Sequence, residues 1–183
     1  MLFRCSCHAT AEAGRRGFLK LAALGAAIAV PMAVSGSMLP TPARAAGDTE
    51  ALLLSCMDYR LTDDIVRYMG RRKLTDKYDH VVLAGASLGA LTDKYPNWGK
   101  TFWDHLEVAI QLHHIHKVIV LDHRDCGAYK VFLGPDAVKD AATERSAHEK
   151  QLKALGAEIK QKHPKLATEL LLMSLDGKVE LIS

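Results

Sequence analysis

The chain has 183 residues, of which 49% are hydrophobic and 25% charged, a composition that fits an ordinary folded domain and excludes disordered and fibrous chains. Its formal net charge is +3, but residues 1 to 45 hold five basic side chains and one acidic one, so the remainder has 19 basic and 20 acidic residues and a formal charge of −1. Binding to nucleic acid needs clustered positive charge, so none is expected here.

The first 45 residues have the pattern of an export signal. The paired Arg15 and Arg16 precede an apolar, alanine-rich run from Leu21 to Val34, and a small-x-small site follows that ends at Ala45. The run is short and interrupted by glycine and proline, which disfavours the alternative of a retained membrane anchor. Residues 1–45 are therefore predicted to be a twin-arginine-type signal peptide, removed on export to the periplasm or beyond in a bacterium. The mature protein is expected to have no membrane attachment.

Residues 46–183 alternate between short apolar runs and segments in which apolar residues recur at helical spacing. The first half is predicted to form, in chain order, a strand at Ala51 to Ser55, a helix ending between Gly70 and Leu74, a strand at His80 to Ser87, an irregular loop at Leu91 to Lys100, a helix at Thr101 to His114 and a strand at Lys117 to Asp122. The second half is predicted to form a short helix beginning near Cys126, an amphipathic helix at Val138 to Lys162, and two strands joined around Asp176 and Gly177.

This order predicts a single α/β domain over residues 46–183, with a Rossmann-like, mostly parallel sheet and helices on both faces. Right-handed crossovers and one reversal of strand order give the order 2-1-3-4, followed by a C-terminal antiparallel edge strand. The carboxyl ends of the first and third strands are then neighbours at the switch point, where open α/β sheets place their sites.

Metal-binding side chains stand at those two strand ends. Cys56 follows the first strand, and His123 and Cys126 follow the third. Two thiolates and an imidazole suit a zinc site with three protein ligands, in which the fourth position is open to water or substrate. A disulfide between Cys56 and Cys126 is the alternative that an exported protein suggests, although folding before export would let both thiols meet a metal in the reducing cytoplasm.

Two charged residues follow the first of these cysteines. Asp58 and Arg60 share a face with Cys56 if the turn is extended, which lets Asp58 reach the open metal position with Arg60 behind it. A bidentate arginine would keep the carboxylate ionised and off the metal. Ligation of the metal by Asp58 and a plain surface ion pair are the alternatives.

The C-x-D-x-R segment at residues 56–60, together with H-x-x-C-G at residues 123–127, resembles the β-class carbonic anhydrases. The resemblance implies Cys56, His123 and Cys126 as ligands of Zn²⁺, and Asp58 with Arg60 as the pair that gates the site and orients a zinc-bound hydroxide. It implies a zinc lyase for the reversible hydration of CO₂ to bicarbonate. It also implies a homodimer or a larger homo-oligomer.

The sequence departs from that family after the second strand. The family usually carries an Arg-Asn-Ala-Gly-Asn-like segment there, whereas residues 84–89 of this chain are AGASLG. A pocket altered around Ala86 and Ser87 leaves open a related linear substrate, COS or CS₂. A non-catalytic zinc-binding protein of the same fold is a further alternative.

Four more histidines, His105, His113, His114 and His116, suggest a second metal site or a proton shuttle. His113 and His114 are adjacent and therefore point to different faces of a helix, and positive charge is favourable at a helix C-terminus. A solvated helix end is the preferred interpretation.

Overall fold

A computed structural model describes residues 47–183, so the predicted signal peptide lies outside the described residues. These residues form strands β1 (Ala51–Ser55), β2 (Tyr78–Val82), β3 (Lys117–His123), β4 (Ala167–Met173) and β5 (Val179–Leu181). The helices are α1 (Thr62–Arg71), α2 (Ser87–Leu91), α3 (Pro96–His113), α4 (Gly127–Leu133) and α5 (Ala141–Lys162), with 3₁₀ turns at Tyr59–Leu61 and Pro135–Val138.

The five strands form one sheet in the order β2-β1-β3-β4-β5. The first four are parallel and β5 runs antiparallel to β4, which confirms the predicted mostly parallel α/β sheet. Ser55, at the end of β1, pairs with Leu121 of β3. The carboxyl ends of these two strands are therefore adjacent, as the sequence predicted.

Alternate side chains of the central strands enter two separate cores. Leu52 and Leu54 of β1 pack in a core with α3 and α5, while Leu53 packs in a second core that contains Ile65 and Met69 of α1. Both sets are fully buried. A strand that is covered on both faces is apolar at every position, which is why "ALLL" shows no alternation of apolar and polar residues.

The prediction for the second strand was wrong at its end. β2 stops at Val82, and Ser87 begins α2 instead of closing the strand. Gly85 and Ala86 both have positive φ (78° and 41°), which turns the chain out of the extended conformation.

The irregular loop predicted for residues 91–100 was also wrong, because α3 begins inside it at Pro96. Proline is favourable at the first helical position, where its missing N–H has no partner to lose. The last long helix begins at Ala141, three residues later than predicted, and Asp140 caps it by accepting the Thr143 N–H at 2.8 Å. Within residues 47–183, no helix combines the length and apolar character needed to cross a membrane.

Candidate metal site

Cys56, His123 and Cys126 meet at the carboxyl edge of the sheet. Their donor atoms all lie within 4.8 Å of one another, and the two sulfurs are 3.9 Å apart. All three residues are buried, with 9%, 3% and 3% of their surface exposed. Both cysteines are free thiols, so this structure does not contain the disulfide considered as an alternative. In residues 47–183, no other group of three or more His, Cys, Asp or Glu side chains is close enough to hold a metal.

The geometry of these donors fits zinc. Two Zn–S bonds of about 2.3 Å at a tetrahedral angle place the sulfurs about 3.8 Å apart, close to the separation observed. His123 Nδ1 donates to the backbone oxygen of Arg124 at 2.8 Å, which leaves Nε2 as a lone-pair donor. That Nε2 is buried and has no hydrogen-bond partner among the described residues, an uncommon state for a buried polar atom. Two thiolates and a neutral imidazole are a donor set suited to Zn²⁺.

The two sulfurs differ in their affinity for a proton. The pKa of Cys56 is lowered to about 4, mainly by the hydrogen bond from the Cys126 thiol and further by His123 and the Gly85 N–H, against the opposing effect of burial. The same contact, together with burial, raises the pKa of Cys126. The Gly85 N–H lies 3.2 Å from the Cys56 sulfur. A Cβ at Gly85 would lie 3.1 Å from that of Ala128, so this close approach favours glycine.

Asp58 and Arg60 form a bidentate pair beside these donors. Arg60 Nε donates to Asp58 Oδ1 at 2.9 Å, and Nη2 donates to Oδ2 at 2.7 Å. The arginine side chain lowers the pKa of Asp58 to about 2. Asp58 Oδ2 lies 3.8 Å from His123 Nε2. Both carboxylate oxygens accept from Arg60, and Asp58 is not one of the donors that lie within 4.8 Å of one another.

Sequence reasoning missed two residues that hold this pair and the neighbouring loop. Arg60 also donates to the side chain of Asp125 at 2.7 Å and to its backbone oxygen at 2.9 Å. The Asp125 N–H donates to Glu144 of α5. Asp125 could have been noticed as the acid between His123 and Cys126, but nothing local marks Glu144, which reaches the loop only because α5 packs there.

A second missed feature is a buried polar cluster, made of Ser87, Asp122, Tyr129 and His148. The Asp122 carboxylate is 1% exposed and is the acceptor at the centre of this cluster. In the sequence, an aspartate inside an apolar strand was the available signal.

A cavity of about 370 Å³ borders the donor group. Its lining is mostly apolar and consists of Cys56, Met57, Asp58, Ala84, Tyr95, Trp98, Cys126, Gly127, Ala128, Val131 and Phe132. The rings of Tyr95 and Trp98 stack with their centroids 4.4 Å apart. Of the altered segment after β2, Ala84 lines the cavity, whereas Ser87 belongs to the buried cluster.

The additional histidines contact groups away from the three candidate ligands. His113 Nδ1 lies 2.8 Å from Asp79, His114 Nδ1 lies 2.7 Å from Asp48, and His105 contacts the backbone oxygen of Thr101 in its own helix. None of them belongs to the metal-binding group found in residues 47–183. His113 ends α3 and His114 is its C-cap, as the helix-end interpretation predicts, whereas His105 lies within the helix.

The sheet order, with the C-x-D-x-R and H-x-x-C-G segments meeting at its carboxyl edge, defines a carbonic anhydrase-like α/β protein. The sequence profile of the family described as "Putative carbonic anhydrase" matches residues 46–183. The chain belongs to this family, and the predicted resemblance is confirmed.

Two relatives and two solved structures are similar to this chain, and the solved structures share its fold. An uncharacterized protein of Rickettsia conorii is 42% identical over 135 residues, 74% of this chain and 73% of the relative. One of Rickettsia bellii is 41% identical over 135 residues, 74% of this chain and 82% of the relative. The β-carbonic anhydrase CafD of Aspergillus fumigatus shares the fold, with TM-score 0.54, 11% identity and coverage of 81% of this chain and 95% of that one. A Coccomyxa β-carbonic anhydrase in complex with acetazolamide gives TM-score 0.50, 15% identity and coverage of 74% and 72%.

Proposed function

We propose that the protein is a zinc lyase that catalyses the reversible hydration of CO₂ to bicarbonate, with Cys56, His123 and Cys126 as the zinc ligands. The observation that carries the proposal is the buried, unpartnered Nε2 of His123, which lies with two sulfurs within 4.8 Å. A bound zinc ion supplies Lewis acidity, which lowers the pKa of a coordinated water toward neutrality.

The residues beside the ligands orient the attacking water through a hydrogen bond. Asp58 is ionised at neutral pH because Arg60 lowers its pKa to about 2, so its oxygens are acceptors only. Such an acceptor orients the water by accepting a hydrogen bond from it, which leaves an oxygen lone pair free to attack. Arg60 positions this carboxylate and is itself fixed by Asp125.

The apolar cavity suits a linear molecule without charge. Aromatic and aliphatic walls around Tyr95, Trp98 and Phe132 place no charged group opposite the substrate, and Asp58 is the acidic residue of the lining. CO₂, COS and CS₂ share that shape. The apolar walls suit all three uncharged molecules alike, so COS and CS₂ are the alternative substrates.

Zinc content and CO₂ hydration, measured on one preparation of the purified protein, test the proposal. We expect about one zinc per chain, as a site with three protein ligands requires, and stopped-flow hydration well above the buffer rate. COS and CS₂ hydrolysis on the same sample tells which substrate is preferred. Zinc without any of the three activities would leave a non-catalytic zinc-binding protein, and absence of zinc would overturn the proposal.

We also propose that the protein acts as a homodimer or larger homo-oligomer. Met57 and Tyr59 flank Asp58 and are 68% and 86% exposed, so two large side chains stand in solvent beside the candidate site. Light scattering on the purified protein measures its mass directly. A monomer at micromolar concentration would contradict this part of the proposal.

Export through a twin-arginine signal belongs to the same proposal. Replacing Arg15 and Arg16 together by lysine is expected to keep the protein in the cytoplasm, as measured by fractionating the cells. Arg44→Lys, outside the arginine pair, is the matched control and should leave export unchanged. Equal export of both variants would contradict the prediction.

A further inference from the structure

The buried cluster behind the candidate site has one carboxylate at its centre. Asp122 is the penultimate residue of β3, and four donors converge on it. Its Oδ1 accepts the backbone N–H of Ser87 at 3.0 Å. Its Oδ2 accepts the Ser87 hydroxyl at 2.7 Å, the Tyr129 hydroxyl at 2.6 Å and His148 Nδ1 at 2.9 Å. The proposed reaction uses none of these groups.

A carboxylate in this position needs an explanation, because burial of a charge is costly unless it is well hydrogen-bonded. All four members of the cluster are buried within the larger apolar core. Apolar side chains of similar volume could fill the same space without that cost. The cluster therefore supplies something other than packing.

Two of the three helices that donate to Asp122 adjoin the candidate ligands. Ser87 begins α2, two residues after Gly85, whose N–H donates to the Cys56 sulfur. Tyr129 lies in the first turn of α4, the helix that begins directly after Cys126. Asp122 itself precedes His123 in β3. One carboxylate thus joins the segments that carry His123 and Cys126 to the turn whose N–H donates to the Cys56 sulfur.

The segment leading into α2 needs such an anchor. Ala86 has φ of 41° and ψ of −100°, a conformation that is unfavourable for a residue with a side chain. The peptide that follows it donates to Asp122 through the Ser87 N–H. Loss of this bond would allow the turn to relax and the Gly85 N–H to move away from the Cys56 sulfur.

We infer that Asp122 is a positioning residue of the metal site, which holds the segments that carry His123 and Cys126 in place against the turn whose Gly85 N–H contacts the Cys56 sulfur. His148 of α5 and Tyr129 of α4 hold the carboxylate in place by hydrogen bonds. Ser87 then links the position of the carboxylate to that of the turn beside Cys56. The inference rests on the proposed zinc site. A purely structural role would make Asp122 no different from any other buried core residue.

The test compares Asp122→Asn with a core variant on α5, outside the segments that carry the candidate ligands. Asparagine keeps the size of the side chain but presents an N–H₂ group to donors that need an acceptor. Ile159→Ala is the matched control. Ile159 is fully buried on α5 in the same core, so its replacement by alanine leaves a cavity and lowers the free energy of unfolding. Zinc affinity is measured by competition with a chromophoric chelator, and ligand geometry by the absorption spectrum of the Co²⁺-substituted protein.

We expect Asp122→Asn to weaken zinc binding at least about tenfold, the lower end for groups that support metal ligands, and to shift the Co²⁺ ligand-field bands. Ile159→Ala should lower the melting temperature while its zinc affinity and Co²⁺ spectrum match the wild type. If Asp122→Asn does not fold, Ser87→Ala and Tyr129→Phe each remove part of the cluster and should change both readouts in the same direction by smaller amounts.

The possible failures are distinguishable. Variants of the cluster that bind zinc as tightly as Ile159→Ala, with the wild-type Co²⁺ spectrum, would overturn the inference and leave the proposed function intact. A wild-type protein that binds no zinc would overturn both. Retained affinity with an altered spectrum would support positioning of the ligands, since a stability effect alone does not change ligand geometry.

Discussion

Arg60 is the side chain on which the candidate site depends most closely. Its guanidinium donates to both oxygens of Asp58 and, in addition, to the side chain and backbone of Asp125. A planar fork can make these bonds together, whereas a lysine presents a single charged centre. The two carboxylates nevertheless differ in their surroundings, because Asp58 borders the cavity and Asp125 is exposed.

This difference leads to a prediction for two matched substitutions. Asp58→Asn should lower the rate constant for CO₂ hydration by about 10²-fold, the usual cost of misplacing a reacting group, while zinc content stays at the wild-type level. Asp125→Asn is the control and should lower the rate much less, because Arg60 keeps its bidentate pair with Asp58. Stopped-flow hydration and metal analysis measure both. Equal losses in the two variants would mean that Asp58 has no special role.

At the scale of the elements, close backbone approaches determine how α2 and α3 pack. A Cβ at Gly89 of α2 would lie 2.5 Å from the backbone oxygen of Ala84, and one at Gly99 of α3 would lie 2.7 Å from that of Ala90. Backbone atoms cannot move aside as a flexible side chain can. These two glycines therefore allow α2 to pack against the segment that carries Ala84 and against α3.

The contact at Gly89 predicts a loss of stability. Gly89→Ala should lower the free energy of unfolding by about 1–3 kcal/mol, the usual cost of forcing extra volume into a packed region. Gly127→Ala is the control, because a Cβ there meets nothing within 4 Å and alanine is the better helix former. Denaturant titrations give both values. A Gly89→Ala protein as stable as Gly127→Ala would contradict the packing argument.

An ion-pair network joins β3, β4 and the end of α1. Glu169 of β4 accepts from Arg72 at 2.6 Å and lies 2.7 Å from Lys117. Burial alone would raise the pKa of Glu169, but hydrogen bonds and charge from Lys117 and Arg72 outweigh it, and the net pKa is lowered. The folded state thus binds this proton less tightly than the unfolded state does. The stabilisation is fully present above the unfolded pKa and is lost as the pH falls through the folded-state pKa.

Glu169→Gln should therefore lower the free energy of unfolding by about 1 kcal/mol at pH 7, a value for partly solvated pairs, and the difference should shrink as the pH falls below about 4. Urea titrations at pH 7 and pH 3 measure it. Asp104→Asn, in the exposed pair with Lys100, is the control and should change stability little at either pH. A deficit of Glu169→Gln that persists undiminished at pH 3 would rule out this electrostatic origin.

For the whole molecule, the candidate ligands connect segments that are distant along the chain. Cys56 and Cys126 are 70 residues apart, yet both lie at the carboxyl edge of one sheet. An ion bound there would link β1 to β3 and α4 in the folded state alone. Metal binding then contributes directly to folding stability.

Zinc removal tests this link between metal and fold. Free zinc at 100 times its dissociation constant should stabilise the protein by about 2.7 kcal/mol, and a chelator should remove that gain and lower the melting temperature. Cys126→Ser is the matched variant, since it removes one sulfur ligand and should make the melting temperature insensitive to the chelator. A wild-type melting temperature that the chelator leaves unchanged would contradict the predicted coupling.

Much of this protein follows from local pattern and one topological rule. The apolar runs before Cys56 and His123 predict buried parallel strands, and because parallel strands end at the same edge, three donors from two distant segments are expected to meet. The end of β2 and the start of α3 were harder to predict from the sequence. Hydrophobic periodicity does not report the positive φ at Ala86, and a proline signals a helix start and a loop equally well.

The support around those donors depends on tertiary packing and could not be predicted. Glu144 and His148 lie on α5, and their contacts with Asp125 and Asp122 depend on how that helix docks against the sheet. No local sequence pattern predicts such contacts, because they depend on the distances between segments. The order of the elements along the chain does not determine those distances. Strand ends are brought together by backbone hydrogen bonding, which is general, whereas the side chains that hold them in place meet through packing that is particular to this chain.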